Sequence, residues 1–363
     1  MIHRLVLRNL AHRPIRTGLT ILALAVEVMM IVMMTGVSEG LLQETLRRTR
    51  GVGADILVRP EITGATISGA DISDKLPGML MERYPQISQV MGSTVFTPGN
   101  LQTITGVDWE ELSVMSGGIA IFEGRTFQDS YEAVIDEVYA EQEEIGVGET
   151  IMLMGHEFEV SGIVETGKMS RVFIPLKTMA ELQGWQGRYS QVYVKLHDPA
   201  LALDLIEELR ALLPDHHVVS VEAFLATTAT NVRHLSSQFV NVIIAIAVVI
   251  GFIVVMLAMY TAILERTKEI GILKAIGASK AYVCSVVLRE TVAVSAVGIV
   301  LGYGLSVLGQ RMVAVKYPLI PVLLIPGWMV WAAALTIVGA IGGAMYPALK
   351  AARADPCEIL TYE

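Results

Sequence analysis

The sequence predicts a membrane protein with four transmembrane α-helices in a 1+3 arrangement and an α+β extracytoplasmic domain between the first helix and the other three. Three observations carry this expectation. The 363 residues are 53% hydrophobic and only 17% charged, with a mean hydropathy of +0.55, whereas soluble domains carry about 25% charged residues. Four long stretches are nearly free of Asp, Glu, Lys and Arg. Charge is also unevenly placed: residues 39–233 hold 29 acidic and 14 basic residues, a net of −15, which leaves +6 for the rest of a chain whose net charge is −9. The composition excludes a disordered chain and, with 2 Cys, 13 Pro and 32 Gly, a disulfide scaffold or a collagen-like repeat.

The first apolar stretch covers 17–38 and is interrupted only by Glu27. It is preceded by a basic segment, 1–16, with Arg4, Arg8, Arg13 and Arg16 and no acid. A cleaved signal peptide is the alternative. A retained helix is expected, because the apolar region exceeds the usual ~7–15 residues and no clear A-x-A site follows. The second stretch is 234–264, the third 286–310 and the fourth 326–348, each near the ~20 residues that cross the hydrocarbon core. Pro318, Pro321 and Pro326 mark 311–325 as an outer loop. Basic residues cluster in 1–16, in the loop 265–285 and in the tail 349–363, so all three are expected in the cytoplasm. This makes a multi-pass membrane protein with both termini inside. The acidic 39–233 segment then lies outside, where its charge disfavours nucleic acid and anionic lipid.

Within that segment, strands are expected at 54–59, 90–96, 101–107, 150–154, 157–164, 172–174 and 191–196, from alternating or β-branched runs bounded by Gly, Pro, Asn and Asp. Helices are expected at 74–84, 136–145 and 199–213, the last capped by Asp198 with Pro199 in its first turn. Residues 41–50 and 222–237 should extend the first and second spans outward as stalks.

No catalytic set or metal centre is expected. Gly162 to Lys168 begins like a phosphate-binding loop, but Met169 stands where Ser or Thr should hold Mg²⁺, and no helix follows. His216-His217 reads as a solvated turn after Pro214. Glu137, Glu141 and Glu144 read as a wetted helix face. Cys284 and Cys357 are expected as free thiols.

The cytoplasmic loop after the second span is more specific. Glu265, Arg266, Lys268, Glu269, Ile270, Gly271, Leu273, Lys274, Ala275, Ile276, Gly277, Ala278 and Ser279 form a short amphipathic helix with a glycine stop. By its physics alone this helix suits a membrane-surface anchor or a docking element. Its sequence resembles the hallmark of FtsX/MacB/LolC-type ABC transporter permeases. The tail Tyr346-Pro347-Ala348-x-Lys350-Ala351-Ala352-x-x-Asp355-Pro356-x-Glu358-x-Leu360 resembles the C-terminal motif of that family. Gly53-Ala54-Asp55-Ile56, Phe122-Glu123-Gly124-Arg125-x-Phe127 and Phe158-x-Val160-x-Gly162-Ile163-Val164 resemble its MacB-like periplasmic core.

The resemblance implies a homodimeric permease with a separate ATP-binding subunit, which alone would bind ATP and Mg²⁺, and a coupling helix at 265–279 seated on it. It implies mechanotransmission through the stalks, used for efflux or extraction of a lipid, lipoprotein, peptide, drug or haem, with a periplasmic adaptor as a further partner. The alternative is an FtsX-like signal transmitter that activates a cell-wall hydrolase and carries nothing across.

Glu27 lies mid-span, where a charge costs at least ~2.5 kcal/mol. Met30 and Met34 share its helix face. Together they suggest either an intramembrane ligand site for haem or a soft metal, or a protonated carboxyl at a dimer seam with methionines as pliable packing.

Overall fold

The computed structural model describes residues 14–60, 69–97 and 103–353. The basic residues before 14, Cys357 and the end of the C-terminal motif lie outside the described residues. The chain divides into two compact units, one comprising 1–40, 234–315 and 321–363, the other 41–233 and 316–320.

Among the described residues, four helices are long and apolar enough to cross a bilayer: α1 (Pro14–Gly51), α7 (Val221–Glu265), α9 (Lys280–Lys316) and α10 (Pro326–Arg353). Each outruns its apolar stretch. No breaker stands between 311 and 317, so α9 takes up the first residues of the expected outer loop. Likewise α10 continues past Pro347, which lacks the N–H that would bond back to residue 343. In the first unit, the α1 and α9 backbones meet across small residues. A Cβ on Gly298 would lie 2.8 Å from Leu24 Cβ, and one on Gly302 would lie 2.7 Å from Val28 Cβ. Only hydrogen fits at these two positions, a small-x-x-x-small arrangement that lets helices approach without a solvent-driven hydrophobic effect.

The second unit is built on a ten-stranded mixed sheet. Its strands are β1 (Ile56–Pro60), β3 (Ile87–Phe96), β4 (Ile104–Val107), β5 (Ile121–Gly124), β6 (Glu132–Asp136), β7 (Thr150–Leu153), β8 (His156–Val164), β9 (Val172–Pro175), β11 (Gln191–Leu196) and β12 (His216–Ser220). The order is β12-β1-β11-β3-β4-β9-β6-β8-β5, with β7 on β8. The pairs β4–β9 and β6–β8 are parallel and the others antiparallel. Two short strands, β2 (Ile72–Ser73) and β10 (Arg188–Tyr189), pair separately.

Alternation places the core on both faces. Ile56 and Val58 join an apolar cluster with Leu80 of α2 (Leu76–Arg83) and Leu209 of α6 (Ala202–Leu212). Leu57 between them joins another, with Leu112 and Met115 of α3 (Trp109–Met115). That second cluster also takes Leu42 and Leu46 from α1 and Leu225 from α7. The third cluster lies about β6, β7, β8 and β9.

The sequence did not announce β5, β6, β12, α3 or α5 (Leu176–Gln183). Strand β6 reads Glu-Ala-Val-Ile-Asp and is buried throughout, so it lacks the alternation that marks a half-wet strand. His216-His217, expected in a turn, instead opens β12, where His217 pairs with Arg59. The turn ends at Asp215, and Val218-Val219 extends the chain. Capping followed the expected chemistry. Asp198 accepts from the Ala200 amide at 3.0 Å, and Asp136, at the head of α4 (Glu137–Glu143), accepts from the Tyr139 amide at 2.7 Å.

Candidate coupling site

The loop after α7 folds as one short helix, α8 (Thr267–Ala275). Arg266 leaves helical geometry between α7 and α8, and Thr267 stitches the joint by donating its hydroxyl to the Leu264 carbonyl at 2.7 Å. Gly277 ends the turn with a φ of +103°, a conformation that L side chains rarely adopt. Ser279 then caps α9, accepting from the Tyr282 amide at 3.2 Å.

Three attachments hold α8. The Arg266 guanidinium faces both carboxylate oxygens of Glu290 on α9, each at 3.4 Å. Lys274 donates to the Ala352 carbonyl of α10 at 3.0 Å. Ile270 packs beside Val283, Ala351 and Ala352, and Gly271 is buried. Just before the joint, Glu265 pairs with Arg16 of α1. A cleft bordered by Met259, Ile263, Ile270, Val287 and Glu290 lies under the helix.

The opposite face of α8 is uncovered. Lys268, Glu269, Ile272, Leu273, Ala275, Ile276 and Ser279 are exposed, Ile276 at 80%. The candidate residues therefore split by role. Arg266, Ile270, Gly271 and Lys274 hold the helix against its own chain, with Ala278 partly covered. Lys268, Ile272, Leu273 and Ile276 present an apolar surface with charged margins. Glu290 was not singled out from the sequence, and Arg16 was named there only as one of the basic residues of 1–16. The available signal was the acid at 290 just before an otherwise uncharged run.

Glu27 is only 5% exposed and lies inside the helical unit. Its carboxylate stands against Gly251 of α7, and Thr336 of α10 donates to Oε1 at 3.4 Å. Oε2 has no hydrogen-bond partner. The carboxyl faces helices of its own chain, and the missing side chain of Gly251 makes room for it. Met30 packs into an apolar cluster with Val28, Ile31, Ala247 and Ala332. Among the described residues no group of three or more His, Cys, Asp or Glu could hold a metal ion.

Comparison with known proteins assigns both halves of the chain. The MacB-like periplasmic core domain family matches residues 17–212, and the FtsX-like permease C-terminal family matches 241–356. The chain belongs to the ABC transporter permeases of this MacB/FtsX type. The macrolide export ATP-binding/permease protein MacB of Rhodospirillum rubrum is 28% identical over 98% of this chain and 59% of its own length. The uncharacterized ABC transporter permease YknZ of Bacillus subtilis is 27% identical over 72% of this chain and 70% of its own. The chain thus spans about three-fifths of the MacB relatives it matches. The crystal structure of the periplasmic region of MacB from Actinobacillus actinomycetemcomitans covers 49% of this chain at 17% identity with a TM-score of 0.37, and 94% of that structure is covered.

Proposed function

We propose that this permease couples ATP hydrolysis by a separate ATP-binding subunit to conformational change in an extracytoplasmic sheet domain, and that a homodimer of it drives export or extraction of a substrate. Both termini and α8 then face the cytoplasm, as the basic clusters there favour, and the acidic domain lies outside. The observation that carries the reading is α8 itself. It is fastened to α9 and α10 through Arg266–Glu290 and Lys274–Ala352, and the end of α7 just before it is held to α1 through Arg16–Glu265, yet Ile272 and Ile276 stay bare. A partner seated on that face would move three helices at once. Exposed aliphatic residues on a short, rigidly held helix suit a protein groove.

In this scheme ATP and Mg²⁺ reside on the partner, and this chain contributes positioning only. Switching between two dimer states requires the nucleotide to favour one of them by several kcal/mol. A periplasmic adaptor would pass an exported substrate onward.

The test is Ile276→Glu in the full chain co-purified with its ATP-binding subunit. The expected result is at least a tenfold loss of permease-dependent ATPase stimulation with unchanged thermal stability of the permease. Normal stimulation would remove α8 as the docking element. Candidate cargo, added to the reconstituted pair with transport measured directly, separates export from the signal-transmitter alternative. Nucleotide-driven movement of the sheet domain without transport of any cargo would favour the latter.

A further inference from the structure

We propose that Arg171 is a positioning residue that fastens residues 316–320, between α9 and α10, into the sheet domain. That domain would then have a further mechanical link to the apolar helices besides α1 and α7. The functional meaning of the link rests on the coupling scheme above; the attachment itself rests on geometry.

Residues 316–320 belong to the compact unit that holds the sheet, although they are continuous with α9. The segment is folded rather than extended, since the Ile320 amide donates to the Tyr317 carbonyl at 2.9 Å. The Leu319 side chain packs against the apolar cluster that contains Ile104, Val172 and Ile174. The Leu319 carbonyl accepts from Arg171 Nη2 at 3.5 Å. An apolar and a polar contact therefore converge on one residue of this short segment.

Arg171 reaches two further elements. Its Nη2 is 3.8 Å from Glu44 Oε1 on α1, and its Nη1 is 3.9 Å from Asp136 Oδ2 at the end of β6. Both acids are themselves held. Arg48 Nε donates to Glu44 at 2.9 Å, and Thr166 donates to Asp136 Oδ2 at 3.0 Å, while Asp136 also caps α4. The Met169 amide donates to the Arg48 carbonyl at 3.0 Å, which ties the chain just before Arg171 to α1. Burial, then the Arg48 guanidinium, pulls the Arg171 pKa down, and Asp136 and Glu44 oppose this. A guanidinium remains charged in such a site.

The residue type is decisive. One backbone carbonyl acceptor and two carboxylates at ion-pair distance, 3.8 and 3.9 Å away, suit a planar guanidinium fork. An ammonium on a single carbon can satisfy the charges but cannot span the site. Arg171 thus joins α1, β6 and the 316–320 segment through one side chain. If α9 and α10 shift, the segment carries that displacement into β9 and β6 directly.

The test uses the full chain in lipid nanodiscs with Cys284→Ser and Cys357→Ser. Spin labels at Tyr317→Cys and Val114→Cys report the position of the segment within the sheet domain, and labels at Val114→Cys and Glu207→Cys serve as the control pair. All labelled positions are exposed. Arg171→Met is expected to at least double the width of the 317–114 distance distribution and leave the control unchanged. Arg171→Lys is expected to restore only part of the narrow distribution. An unchanged 317–114 width in Arg171→Met would overturn the proposal. So would equal broadening of both pairs, because that marks general loosening rather than attachment. With the ATP-binding subunit present, nucleotide-driven movement that stays intact in Arg171→Met despite a loosened segment leaves the attachment standing and counts against force transmission through it.

Discussion

Removing the Arg266–Glu290 pair should loosen α8 without unfolding the chain. The two side chains are 22% and 11% exposed, and the guanidinium nitrogen lies 3.4 Å from each carboxylate oxygen. Two unit charges at that distance attract by about 5 kcal/mol at an effective dielectric of ~20. Desolvation and side-chain ordering offset most of this, leaving a coupling of about 1–2 kcal/mol. Because a factor of ten corresponds to about 1.4 kcal/mol, hydrogen exchange at the Ile270–Lys274 amides should accelerate roughly five- to thirtyfold in Glu290→Gln. The measurement is amide exchange on the full chain in nanodiscs for Arg266→Met, Glu290→Gln and the double variant. The double variant should exchange no faster than the worse single one. Exchange within twofold of wild type in Glu290→Gln, or strictly additive singles, would refute the pair as the anchor of α8.

Other consequences are more local. In the sheet domain the Arg125 guanidinium bonds both oxygens of Glu132 at 2.6 and 2.7 Å, and the Gln128 amide adds a third bond, so the Glu132 pKa falls to about 2. A depressed carboxylate contributes stability that is complete above its unfolded pKa of ~4.3 and fades as pH drops toward 2. Denaturant titration between pH 6 and pH 2.5 should therefore show less acid sensitivity in Glu132→Gln than in wild type. Gly302→Val would drive new methyls into Val28 and the Ala25 carbonyl. A cost of at least ~1–3 kcal/mol is expected, read as reduced thermal stability of the purified chain, while Gly304→Ala, whose Cβ would meet nothing within 4 Å, should be neutral. Glu27→Gln keeps the shape of the side chain against Gly251 and Thr336 and should leave stability and coupled ATPase activity unchanged. Glu27→Lys should abolish stable expression, because it buries a cation beside no acid.

The four apolar helices were legible because a helix long and apolar enough to cross a bilayer lacks charge over some twenty residues, and little else produces such runs. The strands with β-branched alternation, such as β8 and β11, were legible for a similar reason. Strand β6 was not, because a strand covered on both faces shows no period. The short helix α8 could be recognised from Glu265 to Ser279, and the left-handed Gly277 from its position after an amphipathic run. Its fastening could not. Glu290 lies 24 residues from Arg266 in sequence, and Lys274 binds a backbone carbonyl 78 residues away, which no side-chain pattern encodes. The same limit hid Arg171, whose carbonyl acceptor and two carboxylate neighbours come from three separate parts of the chain. Glu27 was visible as an anomaly, but its environment depended on which helix placed a glycine beside it.

The most direct test of the coupling account is the distance between sheet domains of a dimer during the ATP cycle. The full chain, assembled with its ATP-binding subunit in nanodiscs and spin-labelled at Val114→Cys, should give one distance distribution without nucleotide and a shifted one when ATP and vanadate trap the partner. Ile276→Glu should erase that shift. A distribution that stays the same in both states, while the partner hydrolyses ATP at its permease-stimulated rate, would contradict the account.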